Sequence, residues 1–320
     1  MPSSYDIFNG DADGICALQQ LRLSEPKESQ LITGVKRDVR LVREARAVAG
    51  DHLTVLDISL AENREALEAA LDAGASCLYF DHHFAGAIPT HPRFEAHIRY
   101  SPNVCTSLLV DEYLAGRFRS WAVVAAFGDN LRSHAAAAAR SLGLAPGQLE
   151  LMQELGECIN YNAYGDSLED LYFHPAALYQ RLRPYADPLK FAAQDDAFDT
   201  LRTGYRRDME HAQAVAPLIA DETHYAVLLP DAPWSRRVHG VLANRLASAH
   251  PHRAHAVLVQ HGDRYRISVR APLARLLGAD EVCRRFPGGG GRAGAGGIND
   301  LPPERLEEFV RTFRAAFQPS

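Results

Sequence analysis

The feature that most constrains this fold is an alternation of apolar runs with helix-period stretches across the first 85 residues. "YDIF" is followed by "DGICALQQLRL", then "LTVLDIS" by "LAENREALEAALDAGA", then "SCLYF". Strands that alternate with helices of this length build a parallel sheet, because parallel neighbours need a crossover. The second unit predicts its own ends. Ser59 and Glu62 have capping-box spacing, Leu60, Leu67 and Leu71 share one helical face, and Gly74 can close the helix.

From about 105 to 220 the chain is rich in Ala, Leu, Glu and Gln and reads as helical. A second α/β rhythm then begins. "HYAVLLP", "HAVLVQHG" and "RYRISVRAP" read as strands, and "VHGVLANRLASA" and "LARLLGADEVCRRF" as helices. The glycine-rich stretch "PGGGGRAGAGG" reads as a loop, and Leu306, Phe309, Phe313 and Phe317 as a core-facing helical stripe. We therefore expect an α/β protein with a parallel-sheet catalytic domain over 1–190, a helical connector over 191–221 and a smaller α/β substrate-binding domain over 222–320, with the active site in the cleft between them.

The net charge of −6 argues against electrostatic coating of long nucleic acid, though a local basic cleft for a short anion is compatible with it. Five scattered cysteines without a C-x-x-C pair argue against a zinc ribbon or a disulfide framework. No apolar run approaches the ~20 residues needed to span a bilayer, and no signal peptide is visible, so the expectation is a cytoplasmic protein without a membrane partner.

Ligands of open parallel sheets bind beyond the carboxyl ends of the strands. Acids recur at that edge: Asp11 and Asp13, then Asp57, then Asp81 with His82 and His83. Asp129 ends another apolar run, "VVAAFGDN". Taken singly, each has an ordinary reading. Asp13 could cap the helix at "GICAL", Asp11 could brace the turn before Gly14, and Asp57 could accept from its own loop. Together they would repel each other unless a cation neutralised them. Carboxylate and imidazole donors without thiolates suit Mn²⁺, Mg²⁺ or Fe²⁺, and their number suggests two ions and an activated water, suited to attack on a phosphorus ester.

In this order the motifs resemble the DHH phosphoesterase superfamily. "NGDADG" is similar to its D-x-D-G motif, "LDIS" to its second motif, "DHH" to the third and "FGDN" to the fourth. "GGGGRAGAGG" resembles the GGGH loop of the DHH-associated C-terminal domain. The resemblance implies that Asp11 ligates one metal, Asp13 the other, and that Asp57 bridges them. It implies His82 as a ligand of the second metal with Asp129 beside it, and Asp81 and His83 as groups that orient ligands or contact substrate. The chain departs from the pattern at three positions in two places, the first motif and the C-terminal loop. Ile7 occupies the place of a family His, and Asn9 that of an Asp in RecJ-like members, where its carbonyl oxygen is a weaker candidate ligand. Gly291 occupies the place of the loop His, whose role would be lost or pass to Arg292.

On "RYRISVR", alternation puts Tyr265, Ile267 and Val269 on one face and Arg264, Arg266, Ser268 and Arg270 on the other. Arg270 is the candidate phosphate contact, joined by Gly289, Gly290, Gly291 and Arg292. Thr106 and Ser107 read as helix caps, and His239 as lying on a surface helix. The expected activity is hydrolysis of short nucleotides such as pGpG or nanoRNA with two divalent ions, Mn²⁺ first. The alternatives are a 3′-phosphoadenosine 5′-phosphate phosphatase, a RecJ-like single-strand exonuclease, or a nucleotide sensor with weak catalysis. Long-duplex DNA binding is not expected, and a homodimer is left open.

Overall fold

The computed structural model describes residues 2–318, which form two compact units, Met1–Gly204 and Tyr205–Ser320. The division falls inside the stretch expected to connect two domains. It lies within a continuous helix (Asp196–Ala214) rather than in a loop.

The first unit opens with β1 (Ser4–Phe8), α1 (Ala12–Ser24), β2 (Gln30–Ile32), β3 (His52–Leu56), α2 (Leu60–Asp72), β4 (Ser76–Asp81) and β5 (Phe94–Ile98). Among the described residues these strands form a five-stranded sheet in the order β2-β1-β3-β4-β5, every pair parallel. All carboxyl ends therefore share one edge. The chain leaves β1 for β2 on one side and for β3 on the other, so a topological switch point lies at β1, where α/β sheets open a crevice. Ile7, Leu53, Val55, Cys77 and Tyr79 fill one face of the sheet against Leu60, Leu67 and Leu71 of α2.

The rest of the unit is helical, as the composition predicts: α3 (Thr106–Tyr113), α4 (Arg119–Gly128), α5 (Arg132–Ala139), α6 (Gln148–Ala163), α7 (Pro175–Leu182), α8 (Pro188–Gln194) and α9 (Asp196–Ala214). The helix α1 packs against α3, α4 and α6. The apolar run before Asp129 is thus helix α4, not a strand, and Asp129 is its C-cap. Two glycines set how closely α4 and α6 approach. A Cβ on Gly156 would lie 2.1 Å from the Val124 carbonyl oxygen, and one on Gly128 2.8 Å from the Gly156 carbonyl oxygen.

The second unit holds β6 (Ile219–Ala220), β7 (His224–Leu229), α10 (Pro233–Ala249), β8 (Ala254–His261), β9 (Arg264–Arg270), α11 (Ala279–Arg284), β10 (Gly289–Arg292), β11 (Ala295–Leu301) and α12 (Leu306–Ala316). Its sheet has the order β10-β11-β9-β8-β7-β6, with β7 and β8 parallel and the other pairs antiparallel. Phe309, Phe313 and Phe317 join the core formed with Leu258, Ile267, Val269 and Ile298, so the C-terminal stripe faces inward.

Four local expectations are corrected. The Ser59 side chain makes no cap bond, and Glu62 instead pairs with Arg40 at 3.0 Å. The helix expected over 273–286 is only α11, because Gly278 at φ +96° starts it and leaves Leu273, Leu276 and Leu277 exposed in the preceding turns. The glycine-rich stretch is a hairpin, not an open loop, with Gly290 opposite Gly297 and Gly291 opposite Gly296. His239 is buried on α10, with Nε2 at 3.0 Å from the Val257 carbonyl oxygen. Among the described residues no helix is long and apolar enough to cross a membrane.

The α4–α6 contact gives a direct test of the packing. Gly156→Ala forces a methyl group onto backbone that cannot rotate away, and overpacking of this kind costs about 1–3 kcal/mol. Thermal unfolding followed by circular dichroism should show a clear fall in Tm, whereas Gly143→Ala, at a site with open space but positive φ, should cost less.

Candidate metal centre

Four of the acids meet at the carboxyl edge of the first sheet, each delivered by a different local device. Asp11 is the N-cap of α1. Its Oδ1 accepts from the backbone N–H of Asp13 at 3.0 Å and of Gly14 at 3.1 Å. The cap is therefore Asp11 rather than Asp13. Gly14 is required here, since a Cβ would lie 2.2 Å from the Asn9 carbonyl oxygen.

Asp13 is freed for another task. Its two oxygens accept the N–H groups of Thr106 and Ser107, each at 2.7 Å, at the N-terminus of α3. Unpaired amides and the positive end of the helix dipole make this a favourable seat for a carboxylate. Thr106 and Ser107 are thus not caps of their own helix. Thr106 Oγ1 donates to Asp57 Oδ1 at 3.0 Å, and Ser107 Oγ donates to the Asp13 carbonyl at 2.8 Å.

Asp57 follows β3 in the left-handed region, at φ +59°, a conformation an aspartate tolerates better than a branched residue. Its N–H donates to the Phe80 carbonyl at 3.0 Å, which ties the loop to β4. His82 Nε2 lies 3.4 Å from Asp57 Oδ1 and 3.9 Å from Asp13 Oδ2. Asp81 plays a supporting part. Its Oδ1 accepts from the His82 and His83 N–H groups and lies 2.7 Å from His83 Nδ1. That contact makes Nδ1 the protonated nitrogen of a neutral His83 and leaves the lone pair on Nε2.

Asn9 braces the first loop. Its Oδ1 accepts from the Asp11 N–H at 3.3 Å, and its Nδ2 donates to the Lys36 carbonyl at 3.3 Å. Lys36 carries no motif that would single it out in the sequence. It follows β2, and its ammonium pairs with Asp11 Oδ2 while lying 4.0 Å from Asp129 Oδ1. The signal existed, because β2 ends at the same edge as β1 and β3, but "QLI" is too short to stand out as a strand.

Burial and mutual repulsion are visible in the acidities. Burial first, then the Asp57 charge, pushes Asp13 up to about 7. Burial raises Asp129 to about 6, with Lys36 opposing and Asp13 assisting. Asp57 is also raised, by burial and then by Asp11. Burial disfavours the charged form of His82, but its contact with Asp57 and the charges of Asp57 and Asp13 outweigh this and raise it to about 10. Asp11 goes the other way: burial opposes ionisation, yet the Lys36 ammonium and the Gly14 N–H hold it below the usual carboxylate range.

Asp57, His82 and His83 each offer a ligand atom within 4.8 Å of one another. Oxygen and imidazole donors of this kind, with acids crowded enough to resist ionisation, fit a hard divalent cation. In the second unit, Arg270 Nε donates to Asn244 Oδ1 at 2.8 Å, and Arg292 is exposed. Gly291 stands at φ +139°, where a Cβ would lie 2.4 Å from the Ala295 carbonyl oxygen.

Solved structures resemble the whole chain. A RecJ exonuclease bound to manganese aligns at a TM-score of 0.64 and 17% identity, over 98% of this chain and 89% of its own. A DHH domain from a member of the s1p family of ribosomal proteins aligns at 0.63 and 13%, over 98% and 86%. The pGpG-specific phosphodiesterase PggH from Vibrio cholerae aligns at 0.56 and 12%, over 98% and 99%. The chain has the DHH fold. Neither a protein-family model nor a curated protein matches it in sequence. Asp11, Asp57 and Asp81 stand at strand ends of that DHH fold.

The acidities predict how a metal couples to stability. A carboxyl whose folded pKa is raised stabilises the fold fully below its unfolded pKa and loses that contribution as pH rises through the folded value. For Asp13 and Asp129 the loss runs from about 4 to about 7 and 6 respectively. The metal-stripped protein should therefore lose Tm between about pH 4 and about pH 7 on account of these groups. Added Mn²⁺ should raise Tm more at the higher pH, as measured by differential scanning calorimetry.

Proposed function

We propose that the chain is a divalent-metal-dependent phosphoesterase acting on short nucleotides, of which linear dinucleotides such as pGpG are the leading candidates. The convergence of Asp13, Asp57 and His82 on one sheet edge carries this reading. The manganese bound to RecJ and the pGpG specificity of PggH, two proteins of the same fold, support it.

Asp13, Asp57 and His82 would hold the ion, with Asp129 and His83 beside them. A bound divalent ion would supply an acidified water and neutralise charge on the phosphoryl oxygens. The chain's own part is positioning. The N-terminus of α3 clamps Asp13 through two amides, and Thr106 fixes the Asp57 carboxylate through its hydroxyl. Asp81 anchors His83 and the backbone of the turn, so that the two imidazoles emerge in a set order. Hydrogen-bonded supports of this kind commonly govern metal affinity by about 10–100-fold.

From the second unit we assign Arg270 and Arg292 to substrate phosphate. Guanidinium groups meet phosphate oxygens in pairs, and Asn244 holds the Arg270 fork in place. Gly289, Gly290 and Gly291 lie in strand β10, so their contribution is close backbone approach along a hairpin edge rather than a flexible anion loop.

The test is an assay of metal-stripped protein, with and without Mn²⁺, on pGpG, longer RNA and DNA, and 3′-phosphoadenosine 5′-phosphate. The expected result is Mn²⁺-dependent turnover with pGpG preferred. Asp57→Ala should lose more than about 100-fold in kcat/KM, because even supporting residues cost about 10–100-fold. Turnover that survives Asp57→Ala would remove the metal reading, and tight binding without turnover would make the protein a nucleotide sensor. Arg270→Ala should raise KM about 10-fold with a smaller change in kcat, the loss of one charge-assisted hydrogen bond.

A further inference from the structure

One face of the acidic cluster already holds a cation that belongs to the chain. The Lys36 ammonium pairs with Asp11 Oδ2, lies 4.0 Å from Asp129 Oδ1 and 3.4 Å from Asn160 Oδ1, and sits 5.6 Å from the Tyr164 ring centroid. Two carboxylates, an amide oxygen and an aromatic face make a complete socket for an ammonium group.

The position of Lys36 is built by its backbone rather than by a swinging side chain. Its N–H donates to the Ala163 carbonyl at 3.0 Å, and its own carbonyl accepts from Asn9 Nδ2 at 3.3 Å. The preceding turn is locked by the Val35 N–H on Asp38 Oδ2 at 3.0 Å. Gly34 abuts the first loop so closely that a Cβ on Gly10 would lie 2.1 Å from the Gly34 carbonyl oxygen. Lys36 is thereby delivered to Asp11 from a rigid neighbour.

Among the described residues, the oxygen donors on this side are already engaged. Asp11 Oδ1 is committed to two backbone amides and Oδ2 to Lys36. Asn9 spends its side chain on the loop and on the Lys36 carbonyl. Ile7 on β1 is fully buried in the core and offers no ligand atom. The other side of the cluster is different in kind: Asp57, His82 and His83 keep ligand atoms within reach of one another.

We propose that the centre is mononuclear: one divalent ion binds on the Asp13–Asp57–His82 side, and the Lys36 ammonium takes the place of a second ion against Asp11 and Asp129. The proposal rests on the metal-dependent reading above and replaces the expectation of two ions. A fixed ammonium supplies positive charge but no acidified water. The water-activating and the charge-neutralising roles are thereby divided between the ion and the lysine.

The experiment is metal counting on the full chain, stripped and then titrated with Mn²⁺, by native mass spectrometry and electron paramagnetic resonance. The wild type should take up one Mn²⁺ with an uncoupled spectrum. Lys36→Met, which keeps length and removes charge, should take up two, with the spectral broadening of a coupled pair, and Lys36→Arg should return to one. Two coupled ions in the wild type would overturn the proposal while leaving the phosphoesterase reading intact. A count that stays at one in a folded Lys36→Met would remove Lys36 from the role. Should that variant fail to fold, the wild-type count still decides. Uptake of no Mn²⁺ by the wild type would sink both readings, and loss of activity with one ion bound would sink only the phosphoesterase reading.

Discussion

Burying several carboxylates at one edge of a sheet is the constraint to which the first unit answers. Asp11, Asp13 and Asp57 are each at most 2% exposed, and isolated buried carboxylates are strongly unfavourable. Each therefore has its own source of compensation. Asp11 takes two amides of α1 and an ammonium, Asp13 two amides of α3, and Asp57 a hydroxyl and an imidazole. Compensation is unequal, and the acidities record it: Asp11 is held below the ordinary range while Asp13 stays near neutrality. The remaining deficit of positive charge lies on the Asp13–Asp57 side, which is where a cation gains most. Features elsewhere serve this arrangement. The contact of α4 with α6 through Gly128 and Gly156 sets the helix layer that carries both Asp129 and Asn160.

What was legible in the sequence follows from how local each cause is. The alternation of strands and helices is a local period, and it placed β1, α1, β3, α2 and β4 together with the acids at their ends. The face assignment along β9 is equally local, and Ile267 and Val269 are buried while Arg264 is exposed. The supports of the site are not local. Thr106 and Ser107 meet Asp13 from more than 90 residues away, and no spacing rule reaches that far. Lys36 is separated from the acids by a three-residue strand, too short to show alternation. The capping-box spacing does not become a capping box, since Ser59 makes no cap bond and Glu62 pairs with Arg40. The glycine stretch reads as a loop because small residues on paired strands give no apolar pattern.

The departures from the motif pattern are each absorbed into the structure. Ile7 packs with Leu53, Val55 and Leu67, so an imidazole there would enter an apolar core without a partner. Asn9 donates to the backbone of the residue that carries the ammonium, a bond that an ionised aspartate could not make. Gly291 adopts a φ of +139° that a histidine would occupy only under strain, against an oxygen 2.4 Å from its Cβ. None of the three is a bare loss at an otherwise intact site. The brace at Asn9 and the cation at Lys36 act on the same carboxylate, Asp11. The Asp11 carboxylate is compensated by an ammonium whose backbone is fixed on both sides, its N–H on the Ala163 carbonyl and its carbonyl on the Asn9 amide.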